Sequence, residues 1–319
     1  MRRCAVVCLG LVMVLQAAVL AGGGAAAPAD RPAAETPAPL SAPPLPFHSV
    51  EGMGGAFAVP SAYLVNPGAP GGVFGLPSVG GMHVHLGNGR VLDALTLTET
   101  LWGRLELGYG LDHFDAGDLG ADIRAATGMT ISENAVNLHN LNARFQVLSE
   151  GQGGRAWVPA VTVGVHYKYN ETVNTLDRDL SGTLTAIGIK DNAGWDFTLF
   201  ASKMINVLPR PVVVTVGARS TEAAHIGLLG FTGERKIVPE ATVCAFVADN
   251  LLVAAEYRGK PDEYAAIPGL VEREEDWWTL CVGWIVNDRM TLSAGYAHFG
   301  RVLNHKANGA WGIALKYEF

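Results

Sequence analysis

The ten residues that end the chain, AWGIALKYEF (310–319), put Trp311, Ile313, Leu315, Tyr317 and Phe319 on one set of alternate positions. Ala310, Gly312, Ala314, Lys316 and Glu318 fall on the other. Successive side chains of an extended strand point to opposite faces, so this is a ribbon with one oily face and one small or charged face. A single ribbon of this kind also suits the edge of a soluble sheet. Here the rhythm returns along the chain, and the connections between its repeats alternate between short and long. In hydrocarbon every backbone N–H and C=O must pair within the protein, and a sheet achieves this without an exposed edge only by closing on itself. The expected fold is all-β: a transmembrane antiparallel β-barrel whose last strand ends on an aromatic residue, as in bacterial outer-membrane proteins. Tyr317 and Phe319 are the candidate C-terminal assembly signal, presented to the barrel-assembly machinery.

The rest of the composition agrees with an exported chain. Mean hydropathy is +0.21, high for a soluble protein. Yet one window alone resembles a membrane helix, residues 5–20 behind Met1-Arg2-Arg3. A basic start, a short apolar run and a small-residue tail (21–27) describe a secretory signal peptide, residues 1–27. A spanning helix needs about 20 apolar residues, more than this run offers. Lipoprotein processing needs a cysteine at the end of the run, and Cys4 and Cys8 lie at its start. The formal charge of −7 comes without a basic cluster, which excludes a nucleic-acid partner.

Residues 28–46 are rich in Ala and Pro and read as an extended periplasmic linker. Residues 47–78 are rich in Gly and Pro. They contain one apolar piece, AFAVPSAYLV (56–65), in which Pro60 disfavours a central strand. This segment is expected to be a lip or a lumenal plug, with a plain linker as the other reading. From residue 79 to the C-terminus the alternation gives about 12 strands. They span 79–86, 91–102, 104–114, 135–148, 157–169, 194–204, 211–220, 238–247, 251–258, 276–286, 290–299 and 310–319. Short and long connections alternate from the second strand onward, as expected of periplasmic turns and extracellular loops. The first hairpin, 87–90, is the exception: a short turn on the side of the long loops. Trp102, Trp157, Trp284 and Tyr317 fall near one set of strand ends and Tyr169, Trp195, Trp278 and Trp311 near the other, where amphipathic rings suit the headgroup level.

The alternation assigns a set of charged and polar residues to the lumen, where they would set any solute selectivity. They are Arg104, Glu106, Asp112, Arg144, His166, Lys168, Asp196, Arg219, Glu240, Glu256, Arg258 and Lys316. The two signs nearly balance. That suits either a polar pore of weak ion preference or ion pairs that fill a modest barrel; about twelve strands lies between filled small barrels and open porins. His83 and His85 share a strand face and read as polar lining. Neither they nor any Cys or carboxylate supplies the further ligands a metal site needs. No cofactor is called for. His113 and His298 lie near strand ends without a serine placed beside them, and no G-x-S-x-G element is present, so no enzyme is expected. Cys244 and Cys281 face the lumen on strands separated by a third. At about 10 Å apart they are beyond a disulfide's reach. The acidic loop 259–275 reads as a solvated surface loop.

Residues 51–68 (EGMGGAFAVPSAYLVNPG), 227–235 (GLLGFTGER), 256–262 (EYRGKPD) and 275–300 (EDWWTLCVGWIVNDRMTLSAGYAHFG) resemble the domain of unknown function 3034 family of bacterial envelope proteins. The resemblance covers most of the chain after the signal segment. It implies an outer-membrane setting and brings no catalytic residues. Pro60-Ser61-Ala62 also resembles, over a much shorter span, barrel proteins linked to exopolysaccharide secretion. The function expected is a passive outer-membrane channel for small polar solutes, in contact with membrane lipid and lipopolysaccharide. The alternative is a non-conducting envelope protein that supports polysaccharide export or surface organisation through partners, with residues 28–77 as its periplasmic contact.

Overall fold

A computed structural model describes residues 47–206 and 210–319. The signal segment and the 28–46 linker lie outside them. No helix among the described residues is long and apolar enough to cross a membrane. The described residues from Phe47 to Glu318 belong to one compact unit whose body is a closed antiparallel barrel of 12 strands. The strands are β1 (Ser78–Gly87), β2 (Arg90–Leu101), β3 (Leu105–Ala116), β4 (Ala135–Leu148), β5 (Ala160–Asn170), β6 (Ala193–Ile205), β7 (Val212–Thr221), β8 (Lys236–Ala248), β9 (Leu251–Arg258), β10 (Trp277–Ile285), β11 (Met290–His298) and β12 (Ala310–Glu318). Each pairs with its neighbour in sequence. β12 closes on β1, with Trp311 opposite His85 and Tyr317 opposite Val79. The C-terminal ribbon is thus the closing strand, and the fold is the barrel that its alternation required.

The alternation is carried through to burial. In β9, Leu252, Ala254, Glu256 and Arg258 are buried while Val253 and Tyr257 are exposed. The outer surface is a band of exposed Leu, Val, Ile and aromatic side chains, among them Leu97, Leu107, Leu199, Leu280 and Ile313. Trp102, Trp157 and Trp284 stand exposed toward the short-turn end, and Trp195, Trp278 and Trp311 toward the long-loop end. A soluble sheet would have to hide such a band, whereas a lipid-facing one gains by it. Cys244 and Cys281 are free and buried. Both are aligned with Ala254 of the strand between them, which keeps them two strands apart.

Two sequence expectations are corrected. Arg104 does not line the lumen: Trp102 (φ +50°) and Gly103 (φ +62°) make a tight left-handed turn, and Arg104 is exposed at its exit. His83 and His85 do share a face, but it is the outer one. His83 bonds Asp93 at 2.7 Å, and both rings pack against Trp311. Their inward neighbours are Met82, Val84 and Leu86. Near the long loops the usual polarity is reversed, because the inside is apolar there and the outside reaches the polar rim.

The long loops also carry helices that the sequence did not suggest: α1 (Leu119–Thr127), α2 (Val173–Asp179) and α3 (Thr183–Ala186). Loop 299–309 folds into a small hairpin, Arg301 opposite Lys306. Together these elements form an apolar cap at the long-loop end. One cluster of Val173, Ile187, Ile189, Ala224, Tyr264 and Val271 draws residues from three loops.

Candidate functional site: a corked lumen

Residues 47–65 lie inside the barrel. The segment begins with Phe47–His48 paired to Gly54–Gly55, and then turns back across the lumen. Met53, Val59 and Ala62 are fully buried. A chain with so little regular structure leaves backbone groups unpaired, and these must find partners elsewhere. The wall supplies them. The Glu256 carboxylate accepts from three successive N–H groups, Phe57 (3.0 Å), Ala58 (2.9 Å) and Val59 (2.9 Å). Arg144 donates to the Ser61 carbonyl at 2.6 Å, and its partner Glu106 accepts from the Val65 N–H at 2.7 Å. Ser202 accepts from the Ala62 N–H and Thr162 donates to the Ala62 carbonyl, both at 2.8 Å. His48 sits between Thr96 and Ser78. The segment also needs room: a Cβ at Gly108 of β3 would lie 2.5 Å from the Gly52 carbonyl oxygen.

At the centre is Glu51, the one formally charged side chain between residues 47 and 77. Its carboxylate meets Lys168 at 2.6 Å, Arg219 at 2.7 Å and Arg258 at 3.2 Å, from β5, β7 and β9. Asn142 donates to the Glu51 carbonyl at 2.9 Å. The wall adds Asp196, 2.7 Å from Lys168 and 3.1 Å from Arg219, and Glu240, 2.6 Å from Arg219. Every charged member of this cluster is at most 5% exposed. Three cations therefore face three carboxylates, and one of the carboxylates belongs to the plug. Without Glu51 this cluster holds three cations against two carboxylates away from water, which is costly. Asp112 and His166 also point inward, and their polar side-chain atoms have no hydrogen-bond partner among the described residues.

The charged residues assigned to the lumen from the sequence, Arg104 apart, are buried within the barrel. Glu106, Arg144, Lys168, Asp196, Arg219, Glu240, Glu256 and Arg258 grip the plug or one another. Glu51 was absent from that assignment. Its signal was present, however, as a lone carboxylate in a long uncharged stretch. Lys316, near the short-turn end, pairs with Glu318.

Toward the long loops the lumen turns apolar. A cavity of about 40 Å³ lies between the plug tip (Val50, Phe57, Ala58) and Val84, Leu86, Phe114, Trp277 and Phe299. Above it, a cavity of about 140 Å³ lies under the helices of the cap. The cap is pinned by a buried trio: Glu274 accepts from His225 at 2.8 Å and pairs with Lys260 at 2.5 Å. Burial, and then the Lys260 charge, hold the His225 imidazole below its ordinary value, against the pull of Glu274. Burial raises the Glu274 carboxyl, but His225 and Lys260 outweigh it and keep it low. The other carboxylates of the acidic loop 259–275 are likewise engaged, Asp262 with Arg273 and Glu272 with Arg301. No group of three or more potential metal ligands comes together among the described residues.

A family model, "Protein of unknown function (DUF3034)", matches residues 47–316. The chain belongs to the DUF3034 family. The match begins with the plug, so plug and barrel are one family unit. No curated protein matches the chain. Among solved structures it is similar to the KdgM porin (TM-score 0.47, 8% identity, covering 76% of this chain and 99% of that one). It is also similar to the NanC porin (0.44, 8%, 76% and 100%) and to the outer membrane protein Omp33 of Acinetobacter baumannii (0.41, 8%, 78% and 100%). Likeness this distant carries no inference about what this DUF3034 barrel moves or binds.

Proposed function

We propose that this protein is an outer-membrane channel for small solutes, held closed by its own N-terminal segment and opened by withdrawal of that segment. The observation that carries the reading is the Glu51 cluster. A segment meant only to fill a barrel is best held by apolar packing, and replacing buried ion pairs by such packing is often neutral or stabilising. Here the plug is held by a carboxylate shared among three wall cations, and by side chains that bond its backbone. Contacts of that kind exchange for water when the segment leaves. The wall left behind would be a polar, charged bore.

This departs from a passive pore for small polar solutes: the path is closed at rest, and its outer part is apolar. The reading of residues 28–77 as a partner contact loses support over 47–65, which is enclosed by the barrel. The membrane setting is supported by the closed barrel, its exposed apolar band and the aromatic residues at both ends.

The test is planar-bilayer recording of the full chain beside a variant lacking residues 47–65, each first shown to be folded by heat-modifiable migration. The full chain is expected to be mostly silent and the deletion variant to give stable ohmic steps. A folded deletion variant that stays silent would overturn the channel.

A further inference from the structure

The cavity of about 140 Å³ beneath the cap is not a by-product of loose loops. Phe114 (β3), Ile123 (α1), Leu180 just after α2, Ile187, Ile267 and Tyr264 converge on it from four different segments. Interiors normally pack without voids of this size, and an unfilled one costs stability. An engineered cavity of roughly 150 Å³ with a Leu, Ile and Phe lining stays dry and takes up benzene. Apart from its exposed rim, one polar group is buried in this lining. Tyr264 lines the cavity, and its buried hydroxyl, beside the Ala224 backbone, finds no acceptor among the described residues. A buried O–H donor without an acceptor is costly, and a ligand oxygen would satisfy it.

The geometry points to a ligand site here for a small, uncharged, mostly apolar molecule: about one ring in size, with a single hydrogen-bond acceptor directed at Tyr264. Thr127, Glu133 and Asn134 reach the cavity from exposed positions, so its polar rim is the side open to the medium. On the inner side, Phe114, Leu228 and Leu229 are shared with the 40 Å³ cavity that ends on Phe57 and Ala58. Those two residues belong to the plug turn whose N–H groups Glu256 holds. A ligand passing this apolar step arrives at the part of the plug that must release. This extends the gated-channel reading by giving its substrate class, and it rests on that reading for the onward route, though not for binding itself.

Binding is read apart from conductance, by ¹⁹F NMR titration of the full chain in detergent micelles. The probes are 4-fluoroacetophenone, which has a ring and an acceptor, fluorobenzene, which has the ring alone, and 4-fluorobenzoate, which is charged. Saturable binding is expected for the first two and none for the third. Leu180→Trp, which fills the cavity, should abolish binding of both neutral probes. Tyr264→Phe should weaken 4-fluoroacetophenone by roughly 3- to 10-fold, the worth of one hydrogen bond, and leave fluorobenzene unchanged. The site is overturned if the folded wild type shows only micelle partitioning, if Leu180→Trp binds as well as wild type, or if Tyr264→Phe affects both neutral probes equally. Binding with this pattern, alongside a silent plug deletion, would keep the site and discard the channel. Conduction without it would do the reverse.

Discussion

The residue with most at stake is Glu51. It balances one of three buried cations, so Glu51→Gln leaves a positive charge unpaired inside the barrel. Breaking a buried pair from one side costs about 3–5 kcal/mol. That loss should fall on the plug, as faster hydrogen exchange at the Phe57, Ala58 and Val59 amides. Adding Lys168→Met to Glu51→Gln restores the balance between Arg219, Arg258 and the carboxylates Asp196 and Glu240, and should recover much of the protection. Additive losses in the double variant would mean that charge is not what holds the plug. At the other end, His225 makes the cap sensitive to acid. Its folded value lies below the unfolded value of about 6.5, so its contribution is complete above that pH and declines as pH falls beneath it. Hydrogen-exchange protection of residues 222–235 should therefore weaken on going from pH 7 to about pH 5. In His225→Gln this dependence should flatten.

Among the elements, the strands were legible and the plug's seat was not, for a physical reason. A strand between lipid and lumen has two environments that differ sharply, so its side chains alternate. β4 and β9 could be read from sequence to the residue. The 47–65 segment has protein on every side. Nothing forces a period on it, and its Gly-rich course leaves only Pro60 and Glu51 as signals. The helices of 9, 7 and 4 residues are too short to show a stripe. His83 and His85 were placed on the wrong face because the rule of polar residues inside holds only at the depth of the hydrocarbon. The close approach of plug and wall gives a prediction at this scale. Gly108→Val puts its first added carbon 2.5 Å from the Gly52 carbonyl oxygen and against the side chain of Asn142, which holds the Glu51 carbonyl. It should displace the plug while leaving the barrel intact, since Gly108 sits in a strand paired on both sides. The measurement is protease cleavage within 47–65 in a variant that still migrates as a folded barrel.

At the scale of the whole molecule, the barrel combines three layers along its axis: a polar grip on the plug near the short turns, the Glu51 cluster across the middle, and an apolar cap under the long loops. The layers have different chemistry, and a single occupant of the lumen connects them. The gate can therefore be tested as a unit by tying the plug to the wall where the Ala62 N–H meets Ser202 Oγ at 2.8 Å. Cysteines at these positions, Ala62→Cys with Ser202→Cys, offer a pair for a plug-to-wall disulfide, its formation checked first by loss of the two added free thiols on oxidation. Single-channel recording of this variant, oxidised and then reduced in the same bilayer, is the most direct measurement. Silence when oxidised, with the infrequent openings of the full chain returning on reduction, is the expected result. Openings of equal frequency and size in the two states would show that the plug is not the gate.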